Sequence, residues 1–314
     1  MSIWIELLLF VLGIVLIVKG GDLFVDSASF IAEISGIPKF IVGATIVSLA
    51  TTLPEMIVSV MAAAQGKYEM AVGNAIGSVT ANSGLILSIG ILFMTIIVTR
   101  KKYLIKGLLL IGAVTCVWLG CLSGQLSLIA SAILLAIFAV FVWDNVRSAK
   151  NDKTDASERP DFTKKELALK IILFVVGAVM LVIGSDLLVD HGSNIATFLH
   201  VPEGIIAVTM VAIGTSLPEL VTTVTAIIKK QSGLSAGNII GANIIDLTLI
   251  LPISSMVSKG QLTINNQGLM YDMPACLIIV LIAMIPTLIT EKFRKWQGGV
   301  MLAAYAGYLF LVMR

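Results

Sequence analysis

Two glutamates stand where charge is expensive. Glu55 and Glu219 each follow a proline directly, in GATIVSLATTLPEMIVS from Gly43 and in VTMVAIGTSLPELVTT from Val208. Each lies about 15 residues into an apolar run, roughly half the depth of a bilayer's hydrocarbon core at ~1.5 Å rise per residue. A lone carboxylate at that depth is costly, and intramembrane acids by default mark an ion or proton pathway. The prolines, Pro54 and Pro218, remove a backbone N–H and strain the turn before them, which frees carbonyls near Thr51 and Thr215. Freed carbonyls survive in a membrane only where they line a polar cavity or bind something.

A second polar side chain follows each hairpin: Asn82 in AVGNAIGSVTANSGL and Asp246 in SAGNIIGANIIDLTL. These are the natural second pair of cation ligands. Asn74 and Asn238 could cap helix starts or support the acids, and the neighbouring glycines allow close helix approach. The whole set consists of hard oxygen donors, and no His, Cys or Met joins it. It suits Ca²⁺ or Na⁺ and argues against Zn²⁺ or Cu²⁺. Three potential negative charges hold one divalent ion or several monovalent ones, so competition between Ca²⁺ and Na⁺ or H⁺ would be a physical basis for exchange.

The matched residues belong to a repeat of half the chain, at a gapless offset of 164. Pro38 falls on Pro202, Thr51 on Thr215, Glu55 on Glu219, Asn74 on Asn238 and Asn82 on Asp246. Asp22 and Asp26 fall on Asp186 and Asp190, toward helix ends where solvated acids are ordinary; these four stay outside the predicted site. Asp22 is expected to pair with Lys19 at i,i+3.

Composition sets the environment. With 58% hydrophobic and 13% charged residues and a mean hydropathy of +1.02, the chain reads as a polytopic helical membrane protein. The formal charge of +2 points to neither nucleic acid nor a strongly acidic partner. The opening apolar run reads as a first span rather than a signal peptide. Cys116, Cys121 and Cys276 lie in apolar segments without metal-ligand spacing and read as buried, inert thiols.

Hydropathy predicts ten helices, at 3–29, 39–64, 70–97, 104–122 and 125–146, then 166–193, 203–228, 234–257, 271–290 and 297–313. A polar linker over 147–165 separates a first repeat, 1–146, from a second, 166–314. Most of the 21 Lys and Arg fall in or beside the loops after the odd-numbered helices, which puts the linker in the cytoplasm and both termini outside. Five helices per repeat make the second repeat enter the membrane upside down. Inverted repeats with a midplane site are the architecture of secondary transporters.

With TTLPE and GNAIGSVTAN in one half, and GTSLPE and GNIIGANIID in the other, the chain resembles prokaryotic sodium/calcium exchangers of the cation/calcium antiporter superfamily. The resemblance covers essentially the whole chain. It implies an all-α protein of ten transmembrane helices in two inverted repeats, exchanging Ca²⁺ for Na⁺ across the plasma membrane by alternating access. It places Ca²⁺ on Glu55, Glu219 and the carbonyls of Thr51 and Thr215, with further site oxygens at Thr52, Ser78, Asn82, Ser216 and Asp246. The first and sixth helices would slide across this core as the gate. Ala242 stands where the second repeat usually offers Ser, so one hydroxyl of an outer Na⁺ site is missing. Ca²⁺/H⁺ exchange is the alternative, with K⁺-dependent exchange behind it. No cofactor and no obligatory protein partner is expected, only the transported ions and the lipid bilayer.

Two other classes fit poorly. A channel is commonly built by subunit symmetry around a pore. An enzyme using Ser216 or Ser78 as nucleophile needs a base within reach. His191 and His200 fall instead at the outer end of the sixth helix, where they read as structural.

Overall fold

The computed structural model describes residues 3–98, 100–151, 160–200 and 216–312. Among these residues the chain is helical and no strand forms. Eleven helical segments follow in order: α1 (Ile3–Ser35), α2 (Lys39–Thr51), α3 (Leu53–Ala64), α4 (Tyr68–Phe93), α5 (Arg100–Gly120), α6 (Leu128–Asn151), α7 (Lys164–Phe198), α8 (Leu217–Ile228), α9 (Ser232–Val257), α10 (Gly268–Thr290) and α11 (Lys295–Val312). Seven are long and apolar enough to cross a bilayer, and the bent pair α2–α3 makes an eighth.

The predicted boundaries move where local chemistry decides. The helices expected to stop at 29 and 193 run on to Ser35 and Phe198, giving 33 and 35 residues. At ~1.5 Å per residue that is about 50 Å, more than the ~30 Å hydrocarbon core, so they must tilt or extend along the interface. α7 starts on a capping box. The Glu166 N–H donates to Thr163 Oγ1 at 3.1 Å, and the Thr163 N–H donates back to the Glu166 carboxylate at 3.5 Å. The break around GCLSGQLS is real: α5 ends at Gly120, Gly124 takes φ +84°, and α6 begins at Leu128. Of the helix predicted at 203–228, residues 203–215 lie outside the described residues.

α1 and α7 pack as a long antiparallel pair, with glycine as the spacer. A Cβ on Gly13 would lie 3.0 Å from the Gly184 carbonyl, and one on Gly20 would lie 3.0 Å from that of Gly177. Under the offset of 164, Gly13 maps to Gly177 and Gly20 to Gly184, so the two contacts exchange with one another. Phe24 stacks on Phe174 at 4.5 Å between ring centres. The ends are fastened differently. At one, His191 Nδ1 lies 2.7 Å from Glu6 Oε2, which also accepts from Asn194 Nδ2 at 3.0 Å. At the other, the Lys170 ammonium sits 5.5 Å over the Phe30 ring. His191 is thus a buried structural residue, as expected.

Asp22 does not pair with Lys19. Lys19 is exposed, and α1 passes close enough to the end of α8 for Lys229 Nζ to reach Asp22 at 3.3 Å and Asp26 at 2.8 Å. Partial burial opposes the charge on Lys229, yet the two carboxylates hold its pKa above the ordinary lysine value. Behind the long pair, α4 and α9 are the most enclosed helices, and α5, α6, α10 and α11 wrap them. Lys106 on α5 and Asp144 on α6 form a buried ion pair at 2.6 Å that joins two of these outer helices. Cys121 and Cys276 are buried and Cys116 half-buried, all as free thiols.

Candidate cation site

The site is built where helices break. The chain bends by 46° between α2 and α3, at Thr52, one residue before Leu53–Pro54 opens α3. Proline in a first turn costs no hydrogen bond that a helix start would otherwise make, so the break is a clean restart. The same device recurs at α8, where Ser216 precedes Leu217–Pro218. Each restart places a glutamate in the first turn, Glu55 and Glu219. α4 and α9 carry a second irregularity that hydropathy did not reveal. Both widen into a π-helical turn that begins at the matched polar residue, Asn82 over Asn82–Leu87 and Asp246 over Asp246–Ile250. Such turns re-aim side chains and are frequent at functional sites.

Glycine brings the pieces together. α2 crosses α9 so closely that a Cβ on Gly241 would lie 2.6 Å from Ser48 Oγ and 2.7 Å from Ala44 Cα. Any side chain there would push the break away from α9. Close helix approach is the role the sequence suggested for the glycines here, and Gly241 fills it.

The expected site residues are buried as far as they are described. Glu55, Glu219, Asn82 and Asp246 have no exposed surface, and Thr51, Thr52, Ser78 and Ser216 are buried. Thr215 lies outside the described residues. The two helical asparagines act as braces rather than caps, because their helices start six residues earlier, at Tyr68 and Ser232. Asn74 donates to Ser59 Oγ at 2.9 Å and to the Glu55 carbonyl at 3.3 Å, fixing the turn that carries Glu55. Asn238 accepts from Thr51 Oγ1 at 3.2 Å and donates to Thr222 Oγ1 at 3.1 Å, tying α9 to both broken helices. A further link was not singled out in the sequence: Asn243 Nδ2 donates to Ser83 Oγ at 2.8 Å, joining α9 to α4 beside Asn82 and Asp246. Its position three residues before Asp246, on the same helical face, was the available signal.

Asn74 and Asn238 are tied across helices by hydrogen bonds, and Asn243 uses its Nδ2 but leaves its Oδ1 without a partner. Both carboxylate oxygens of Glu55, Glu219 and Asp246, both polar atoms of Asn82, and the hydroxyls of Ser78 and Ser216 are buried without a hydrogen-bond partner in the protein. Buried polar atoms are normally paired, and a cluster of orphans at one place needs a reason. The three acids lie within electrostatic reach of one another, Glu55 feeling both Glu219 and Asp246. Among the described residues no three His, Cys, Asp or Glu form one compact metal-binding group. The remaining predicted donors are amide and hydroxyl oxygens, which with the carboxylates make a donor set suited to hard cations.

A family model described as "Sodium/calcium exchanger protein" matches residues 5–145 and 169–314. The chain belongs to the sodium/calcium exchanger family. Among family relatives, an uncharacterized membrane protein of Methanocaldococcus jannaschii is 31% identical, over 94% of each chain. The sodium/calcium exchanger MaX1 of Methanosarcina acetivorans is 26% identical, over 99% of each. The fold of this exchanger-family chain matches solved structures of the sodium-calcium exchanger NCX_Mj. One, soaked with Na⁺ and no Ca²⁺, gives a TM-score of 0.84 at 28% identity, over 98% of this chain and 99% of that one. Another, soaked with Na⁺ and Sr²⁺, also gives 0.84, at 29% identity over 98% of each.

Proposed function

We propose that this exchanger-family chain is a secondary-active antiporter of the plasma membrane that moves Ca²⁺ against Na⁺ by alternating access. The ions compete for Glu55, Glu219 and Asp246, with Thr51, Thr52, Thr215, Ser78, Asn82 and Ser216 completing the coordination. The observation that carries the reading is the cluster of buried, unpartnered oxygens at two matched helix breaks. Left without cations or protons, three carboxylates at bilayer depth are strongly disfavoured, so the site favours binding of positive charge.

Ten crossings in two inverted repeats, 1–146 and 166–314 about a 147–165 linker, complete the proposal. The antiparallel α1–α7 pair, whose glycine contacts exchange under the repeat offset, supports that arrangement. So do two single antiparallel bridges, Ile97 with Lys292 and Gln125 with Thr263, which the offset maps onto one another to within three residues. The charge distribution supports a cytoplasmic linker with both termini outside.

The test is uptake of radiolabelled Ca²⁺ into liposomes against an outward Na⁺ gradient, with an outward H⁺ gradient in parallel and Glu219→Gln as the inactive control. Uptake driven by Na⁺ and abolished in the variant is expected. Uptake driven by H⁺ alone would transfer the coupling to the proton, the reading that the missing hydroxyl at Ala242 favours. No uptake under either gradient would sink the substrate.

A further inference from the structure

The two long helices are repeat mates, yet they do not meet the core alike. α1 crosses α8 in tight contact: a Cβ on Gly21 would lie 2.8 Å from Val221 Cγ1 and 3.0 Å from Thr225 Oγ1. One turn further along α8, Lys229 bridges Asp22 and Asp26. The offset predicts a mirror seam between α7 and α3. There Ser185 replaces Gly21, Ile57 and Met61 replace Val221 and Thr225, and Gln65 replaces Lys229. That mirror seam is open. α7 has no comparable packing on α3, and Ile57 and Met61 are 59% and 53% exposed where Thr225 is 7% exposed. Asp186 and Asp190, the mates of Asp22 and Asp26, form no ion pair among the described residues.

We propose that Gly21 and Lys229 set the resting conformation of the transport cycle, closing the α1–α8 seam on the cytoplasmic side and leaving the α7–α3 seam open to the outside. The proposal rests on the alternating-access reading and on the membrane orientation given above. Two differences between the mates act in one direction. Gly21 has no side chain, so the α1 backbone seats directly against the side chains of Val221 and Thr225, whereas Ser185 carries a hydroxyl there that donates to the Leu181 carbonyl at 2.7 Å. Lys229 pairs with both acids that closure brings to the α8 terminus and offsets half their charge. Gln65 has no charge to offer, so closing the other seam would press Asp186 and Asp190 together with the core uncompensated. Asp22 and Asp26 are one helical turn apart, so Lys229 keeps a carboxylate partner while α1 shifts by up to ~5.4 Å. The latch therefore guides sliding as well as opposing it.

The test is the rate at which a membrane-impermeant maleimide labels single introduced cysteines in the reconstituted full-length protein, with the three native cysteines as background. Ile57→Cys reports the outer seam from outside, and Thr225→Cys reports the inner seam from the cytoplasmic side. Lys229→Gln, which makes the two seams alike at this position, is expected to slow labelling of Ile57→Cys and speed labelling of Thr225→Cys. About two- to fivefold is the size that partly exposed ion pairs supply. Gln65→Lys, at an exposed position where misfolding is not a concern, is expected to slow labelling of Ile57→Cys as well, by giving Asp186 and Asp190 a partner. Lys229→Arg is expected to keep the parent rates. Unchanged rates in both Lys229→Gln and Gln65→Lys would overturn the proposal. Labelling needs no ion flux, so the expected shifts in a protein without Ca²⁺ uptake would support the latch while refuting the substrate.

Discussion

In the first repeat Glu55 keeps company with Thr51, Thr52, Ser78 and Asn82; at the matched places in the second, Glu219 has Ser216, Ala242 and Asp246. The backbone devices are duplicated. Both halves restart a helix on proline, both put a glutamate in its first turn, and both open a π-helical turn at the second polar residue. Charge and hydroxyl count are not duplicated: one half offers an amide where the other offers an acid, and a serine where the other offers a methyl group. On the proposed reading, two copies of one scaffold fix where a cation would sit, while their differences fix how much charge and how many donors it would meet. An Asn at both second positions would leave two negative charges in the site, and an Asp at both would leave four.

The sharpest way to break this comparison is to exchange the odd pair. Asp246→Asn is expected to cut Na⁺-driven Ca²⁺ uptake at least ~10-fold, since one lost charge–ligand contact in a desolvated site amounts to more than ~1.4 kcal/mol. Adding Asn82→Asp to that variant restores the charge in the mirror position and is expected to recover part of the flux. Full activity in Asp246→Asn alone would show that the asymmetry between the halves carries no function.

A smaller effect is expected from a packing contact that the halves share. Gly177→Ala puts a Cβ 2.8 Å from both the Gly20 carbonyl oxygen and the Phe24 nitrogen, backbone atoms that cannot rotate away. Overpacking of this kind costs about 1–3 kcal/mol, read as a lower midpoint in thermal unfolding of the detergent-solubilised protein. Gly112→Ala on α5 meets nothing within 4 Å and is the control expected to leave the midpoint unchanged or slightly raised. Equal behaviour of the two variants would mean that the α1–α7 glycines are not a packing device.

The smallest change sharpens the hydroxyl difference. Ala242→Ser gives the second repeat the counterpart of Ser78, and one added oxygen donor is expected to lower the Na⁺ concentration for half-maximal exchange by about two- to tenfold, with little effect on Ca²⁺. A Na⁺ dependence that does not move would place Ala242 outside the ion path.

Much of this was legible in the sequence because it depends on few variables. Glu55 and Glu219 announce themselves by sitting after proline in apolar sequence, and Asn82 and Asp246 by sharing the offset. Other features depend on which surfaces meet. Asn74 and Asn238, at a distance from their helix starts that hydropathy could not fix, turn out to brace the broken helices. Asn243 and Ser83 look like ordinary small polar residues until α9 and α4 cross at them. Asp22 seemed to have its partner one turn away in Lys19; its actual partner, Lys229, is more than two hundred residues along the chain.

The sequence by itself determined that this chain is helical and membrane-embedded, that its halves are copies, and which oxygens form its polar centre. Those conclusions follow from desolvation, which penalises every exposed backbone group and every lone charge in a bilayer wherever the rest of the chain lies. Only the tertiary structure decided which buried polar groups brace the helices and which stay without a partner in the protein, and which of two equivalent seams is packed. Pairing and closure depend on contacts between distant segments, and two copies of nearly the same sequence can make those contacts unequally.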